Sequence, residues 1–191
     1  MRKKEKQSKW GIFLVAFIAL VMISSVIGFL YGGETNQFKY GDIKFIRTVD
    51  GWQTSVNNKR VTFDYFPGDL EYIEMDPAIT MLLANKPEVD LTSNTEDLFL
   101  EDIALAQYNM NLVLNNLNVY VRMGFDTNNS FDLPIITCED SSMAVPVIYF
   151  KRSNQTNITL EDSCVIVEAS NSNDVLRIKD RLLYSMIGII G

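Results

Sequence analysis

The pattern of apolar positions divides this chain before any single residue is considered. From Gly11 to Leu30 the sequence GIFLVAFIALVMISSVIGFL carries no charge and would be apolar on every side of a helix, not along one stripe. At 1.5 Å per residue, a run of this length spans about 30 Å, the thickness of a bilayer's hydrocarbon core. Trp10 and Tyr31 flank it, as aromatic residues do at the two membrane interfaces. The pattern predicts a transmembrane helix over 10–31. A cleaved signal peptide is the rival reading, but such apolar regions run to about 7–15 residues and end in a small-x-small site. Gly28-Phe29-Leu30-Tyr31-Gly32 is a poor match to that site, which favours a retained signal anchor.

Past a short polar linker (32–37), the period shortens to two. Phe38–Val49 reads as a strand, and Asp50-Gly51 as the type I′ turn of a hairpin. Trp52–Val56 runs back, Asn57-Asn58-Lys59 turns again, and Val61–Phe66 forms the next strand, ended by Pro67-Gly68. This is a β-meander. Leu70–Met75 reads as a further strand. Asp76-Pro77 then supplies an N-cap and a first-turn proline for a short helix over 78–85. Val89–Thr92 is a strand, and Ser93-Asn94-Thr95-Glu96 matches a capping box opening the longest helix, to about Asn116. Within it Phe99, Ile103, Ala106, Met110, Val113 and Leu117 recur at three or four residues, one buried stripe. Val119–Met123 alternates as a strand.

Strand–helix–strand–helix–strand in this order predicts crossovers and a partly parallel sheet. Pro134–Cys138, Val145–Phe150, Ile158–Leu160 and Cys164–Val167 are four more strand candidates. Ser172 or Asn173 caps a last helix with Val175, Ile178, Leu182 and Met186 on one face and Leu176, Leu183, Ile187 and Ile190 beside it. Arg177, Lys179, Asp180 and Arg181 break its apolar run, so it is no membrane span. The predicted fold class is α/β or α+β: a transmembrane helix, then a β-meander leading into a mixed sheet with three packed helices. Residues 1–9 form a tail, 10–31 the anchor, 32–37 the linker and 38–191 one domain.

Charge adds orientation. Arg2, Lys3, Lys4, Lys6 and Lys9 against Glu5 make the tail net +4, leaving −11 for the rest of a chain whose formal charge is −7. By the positive-inside rule the tail is cytoplasmic and the body extracytoplasmic, on a single-pass cell-membrane protein. An acidic body argues against a nucleic-acid surface. The chain has no histidine, which excludes Ser-His-Asp and Cys-His triads and histidine metal sites. Cys138 and Cys164 are the only cysteines, an even count that reads as a disulfide in an oxidising compartment, against two unrelated buried thiols. Asn128, Asn154 and Asn157 begin N-x-[ST] triplets, candidate glycosylation sites on an external surface.

The arrangement Tyr40…Phe45…Gly51-Trp52…Phe63…Phe66-Pro67, then Pro134-x-x-x-Cys138…Pro146-Val147-Ile148…Cys164-Val165-Ile166-Val167 and Asp180-Arg181-Leu182-Leu183-Tyr184…Gly188-Ile189, resembles uncharacterised single-pass membrane-anchored envelope proteins of archaea. The resemblance covers most of the chain and implies an envelope location and a disulfide. It implies no activity.

Candidate chemistry is sparse. Asp126, Asn128, Ser130 and Asp132 place oxygen ligands at alternate positions as calcium loops do, but Phe131 stands where such loops have glycine and Thr137 where they have glutamate. A polar turn is the plainer reading. Glu139-Asp140 and Glu161-Asp162 flank the cysteines, so a disulfide would gather four carboxylates near one edge, the residue types of glycosidase chemistry or simply solvated loop charges. Trp52, Tyr65 and Phe66 suit either a binding surface or the core of the meander. No Walker loop, G-x-G-x-x-G or C-x-x-C occurs, and no cofactor is expected. The leading expectation is a membrane-anchored extracytoplasmic domain with a non-enzymatic binding or envelope-assembly role. Its partners would be the bilayer through 10–31 and an envelope protein or glycan. An anchored carbohydrate-directed hydrolase using the four carboxylates comes second, and a pilin-like subunit last.

Overall fold

The computed structural model describes residues 9–31 and 37–190, in two compact units divided after Asn36. Residues 1–8 of the expected tail over 1–9, and most of the linker over 32–37, lie outside the described residues. In the first unit, α1 runs from Lys9 to Tyr31, 23 residues, with its described side chains at 10–11 and 13–26 exposed. Among the described residues, no helix is long and apolar enough to cross a membrane.

The second unit opens with an antiparallel meander of four strands, β1 (Gln37–Tyr40), β2 (Ile43–Thr48), β3 (Gly51–Val56) and β4 (Lys59–Phe63), paired in chain order. One strand was predicted over 38–49. It divides because Gly41 takes a positive φ of 55° and turns the chain, pairing Tyr40 with Ile43. The second turn is Val49-Asp50, with Gly51 already paired to Thr48. Gly51 needs its φ of 129° and its bare Cα, since a Cβ there would lie 2.2 Å from the Phe63 carbonyl oxygen. At Asn57-Asn58 both residues have positive φ, 51° and 63°, the geometry of a type I′ turn that asparagine tolerates.

The strand predicted over 70–75 is not one. Pro67–Leu70 is a 3-10 turn, followed by a hydrogen bond from the Ile73 amide to the Leu70 carbonyl. Leu70 and Ile73, three residues apart, both enter the core. That is the spacing of a turn, not of a strand. Asp76 caps α2 (Pro77–Leu83) by accepting the Ala78 amide at 2.8 Å.

A five-stranded sheet follows, built from β5 (Glu88–Ser93), β6 (Tyr120–Met123), β7 (Val147–Arg152), β8 (Asn157–Glu161) and β9 (Cys164–Ala169) in the order β6-β5-β7-β9-β8. β6, β5, β7 and β9 are parallel, and β8 is an antiparallel edge joined to β9 through Asp162-Ser163. The predicted capping box at 93–96 is absent. Ser93 is the buried end of β5, and α3 (Leu100–Asn116) begins only after Asn94 and Asp97 accept the amides of Glu96 and Phe99. These side chains bind the loop instead of the helix end. Likewise α4 (Ser172–Met186) is capped by Asn171, one residue earlier than predicted. Pro134–Cys138 contributes a single bridge, Ile135 to Phe125, then a 3-10 turn over Cys138–Asp140.

The core lies where α3 and α4 cover one face of this sheet and the meander packs on the helices. Val89, Leu91, Ile148, Phe150, Val165 and Val167 from the sheet share one cluster with Ile103, Met110, Ile178 and Leu182 from the helices and Phe45, Val61 and Phe63 from the meander. Trp52 is buried here and packs against half-buried Phe66, ring centroids 4.8 Å apart with the planes tilted by 49°, so these aromatics serve the core. On the opposite face Val147, Cys164 and Ile166 form a separate small cluster with Ile136 of the segment 124–146, and Cys138 and Tyr149 pack against it. The described residues thus form a mixed α/β fold with a β-meander, a mixed sheet and four helices.

Candidate binding cleft beside the disulfide

The sheet's connectivity selects one place. β5–α3–β6 winds to one side of β5, and the segment 124–146 then carries the chain back to β7 on the other side. Where strand order reverses, open α/β sheets leave a crevice at the carboxyl ends of the strands. Here the Asn94–Asp97 loop closes the top of that crevice. The Arg152 amide donates to Asp97 Oδ2 at 2.7 Å, and the Asp126 amide donates to the Ser93 carbonyl at 3.0 Å.

Below it, on the face away from the helices, is a cleft of about 430 Å³ lined by Asp126, Thr137, Cys138, Glu139 and Tyr149. Each wall has a physical cause. Tyr149 points to this face by the alternation of β7, whose Ile148 and Phe150 point to the helices. Its hydroxyl donates to Asp126 Oδ2 at 2.8 Å, and the Asn94 side-chain amide donates to both oxygens of Asp126 at 3.1 and 3.2 Å. Burial, then the hydrogen bond to Asp126, pushes the Tyr149 phenol well up, so it serves as a donor and not as a base.

The remaining wall is pinned by a disulfide between Cys138 and Cys164, with Cα atoms 5.3 Å apart. Thr92 on β5 helps by donating its hydroxyl to the Ile136 carbonyl at 2.7 Å. Thr137 and Asp140 close the 3-10 turn. The Thr137 amide and hydroxyl both donate to Asp140 Oδ2, at 2.8 and 3.0 Å, and hold this carboxyl below its ordinary range.

The sequence candidates fare unevenly. Glu139, Asp140, Glu161 and Asp162 are all exposed, and Glu139 is the only one of the four to line the cleft. Asp140 is occupied as a cap, and Asp162, at φ 53°, is a hairpin residue. Of the calcium-type set, Asp126 is taken by Tyr149 and Asn94, while Asn128, Ser130 and Asp132 are exposed. Asn129, not Asn128, organises that loop by accepting the Phe131 and Leu133 amides. Among the described residues, no group of three or more His, Cys, Asp or Glu side chains could hold a metal ion. Asn128, Asn154 and Asn157 are exposed.

Two polar clusters escaped the sequence reading. Asp90, fully buried on β5, receives Arg122 of β6 as a two-pronged pair, with Nε at 2.9 Å from Oδ1. An aspartate inside a buried strand was the available signal. Lys179, Asp180 and Arg181, which interrupt the apolar pattern of the last helix, are buried. Nothing in the helical period distinguishes them from surface charges.

Comparison with protein-family models, curated proteins and solved structures returns no match to this chain. Chemically, the cleft presents acceptors: the exposed Glu139 carboxylate, and Asp126, whose oxygens already accept from Tyr149 and Asn94. Cys138 is locked as a disulfide, and the cleft's hydroxyl at Thr137 is committed to Asp140. This arrangement suits binding a ligand rich in hydrogen-bond donors.

Proposed function

We propose that this chain is a membrane-anchored extracytoplasmic domain with a non-enzymatic binding role in the cell envelope. The carrying observation is the cleft whose acidic lining is fixed by Tyr149, Asn94 and the disulfide. Without a basic lining residue it favours a polyhydroxyl or cationic ligand, such as an envelope glycan or a lysine-rich protein segment. The anchor assignment rests on the uncharged run 11–30 and the basic residues before it. A disulfide fits an oxidising, external compartment. Acid–base hydrolysis has weaker support, because the four carboxylates proposed for it form no converging pair in the cleft.

Calorimetry of the full chain in detergent against envelope polysaccharide fragments and an oligolysine peptide tests the binding role. Binding by one of these probes that Asp126→Ala and Glu139→Gln each weaken supports it, and undiminished binding in both variants rejects the cleft. Protease digestion of sealed vesicles tests topology: the body should be cut only when it lies on the external side.

A further inference from the structure

We propose that Lys179 and Asp64 are joined by an intramolecular amide bond that ties α4 to the end of β4, with Asp180 as the proton-transfer group. This rests on a different region from the binding cleft and stands independently of it. The Lys179 ammonium lies 2.6 Å from Asp64 Oδ2 and 2.6 Å from Asp180 Oδ1. The lysine side chain is 2% exposed and that of Asp180 fully buried, while Asp64 reaches the edge of the core at 38%. Asp180 Oδ2 accepts the amides of both Asp64 and Tyr65 at 2.8 Å, so the acid is fixed to the same stretch of backbone that carries the electrophile. Phe63 and Tyr184 close the inner side, their rings 4.2 Å apart, and the Tyr184 hydroxyl donates to the Tyr65 carbonyl at 2.8 Å.

As an ion pair, this buried group contributes little net stability, because removing charges from water offsets their attraction. An amide removes the charge altogether. The two carboxylates hold the resting lysine charged, while burial pushes the Asp180 carboxyl up to about 6 against the pull of Lys179. Reaction begins when a proton passes from Nζ to the Asp64 carboxylate, giving an amine and a carboxylic acid. The Nζ lone pair attacks Asp64 Cγ. Asp180 takes a proton from the nitrogen and delivers it to the departing hydroxyl, which leaves as water. Asp180 ends as it began. Ammonium and carboxylate become amide and water, so atoms and charge balance without a co-reactant. A cavity of about 280 Å³, lined by Asp64 and Lys179 with Asp50, Arg60, Asn109 and Asn116, lets the water leave.

Peptide mapping by mass spectrometry of the full chain, folded first and then reduced and denatured, decides the matter. The expected result is one branched species in which the Asp64 and Lys179 peptides are linked and one water lighter than their sum. Lys179→Arg, which keeps the ion pair but cannot form the bond, should give two separate peptides, and Asp180→Asn should greatly reduce the linked form. Two separate peptides in the unmodified chain overturn the proposal. So does a water loss that survives Lys179→Arg, which would mark a cyclic imide at an aspartate.

Discussion

Replacing Arg122 by Leu leaves Asp90 as an uncompensated carboxylate in the middle of the parallel sheet. Asp90 is fully buried, and Arg122 reaches it from the neighbouring strand in register, its own side chain 45% exposed. Removing one partner of a buried pair costs about 3–5 kcal/mol. Partial exposure of the arginine lets water approach, so about 3 kcal/mol is the expected loss for Arg122→Leu. Replacing both by Leu should cost no more than about 1 kcal/mol, since β5 and β7 place apolar Val147 beside position 90. Urea unfolding of the native chain, both single variants and the double variant gives the full cycle. The reasoning is refuted if Arg122→Leu loses less than about 1 kcal/mol, or if the double variant is as unstable as the single.

Other outcomes follow from the same physics. Reducing the disulfide, whose ends are 26 positions apart, should lower stability by about 3.5 kcal/mol on the chain-entropy model, read from unfolding with and without reductant. Hydrogen exchange should then rise first in 124–146, since the disulfide ties this segment to β9; unchanged protection there would contradict its assigned pinning. Gly51→Ala should cost about 3 kcal/mol, because a methyl at that site meets the Phe63 carbonyl and the backbone φ is unfavourable. Asp140→Asn should flatten the acid side of the stability curve. The native carboxyl is held below its ordinary range by Thr137, so its contribution is present above the unfolded pKa and lost as pH falls through the lower, folded one.

How far local patterns reach is clear from particular elements. Val61 and Phe63 alternate with polar neighbours, and Ile103, Ala106, Met110 and Val113 recur at helical spacing; all of them are buried as their periods require. The Asn57-Asn58 turn was equally plain, because few residues accept two successive positive φ values. The structure departs from the period where a turn intervenes. Asn94 and Asp97 delay α3, Gly41 splits the first strand, and Leu70 and Ile73 bury themselves from a turn.

The site residues follow a different rule. Sequence alone determined which segments must hide from water, and it named the two cysteines that could join. Only the tertiary structure decided that Tyr149 meets Asp126, that Arg122 meets Asp90, and that Lys179 and Asp180 turn inward to Asp64. Apolar periodicity reports burial of one element's own face, a local property. A polar partner is chosen by strand register and by which layer lies opposite a helix, and both depend on residues up to 116 positions away.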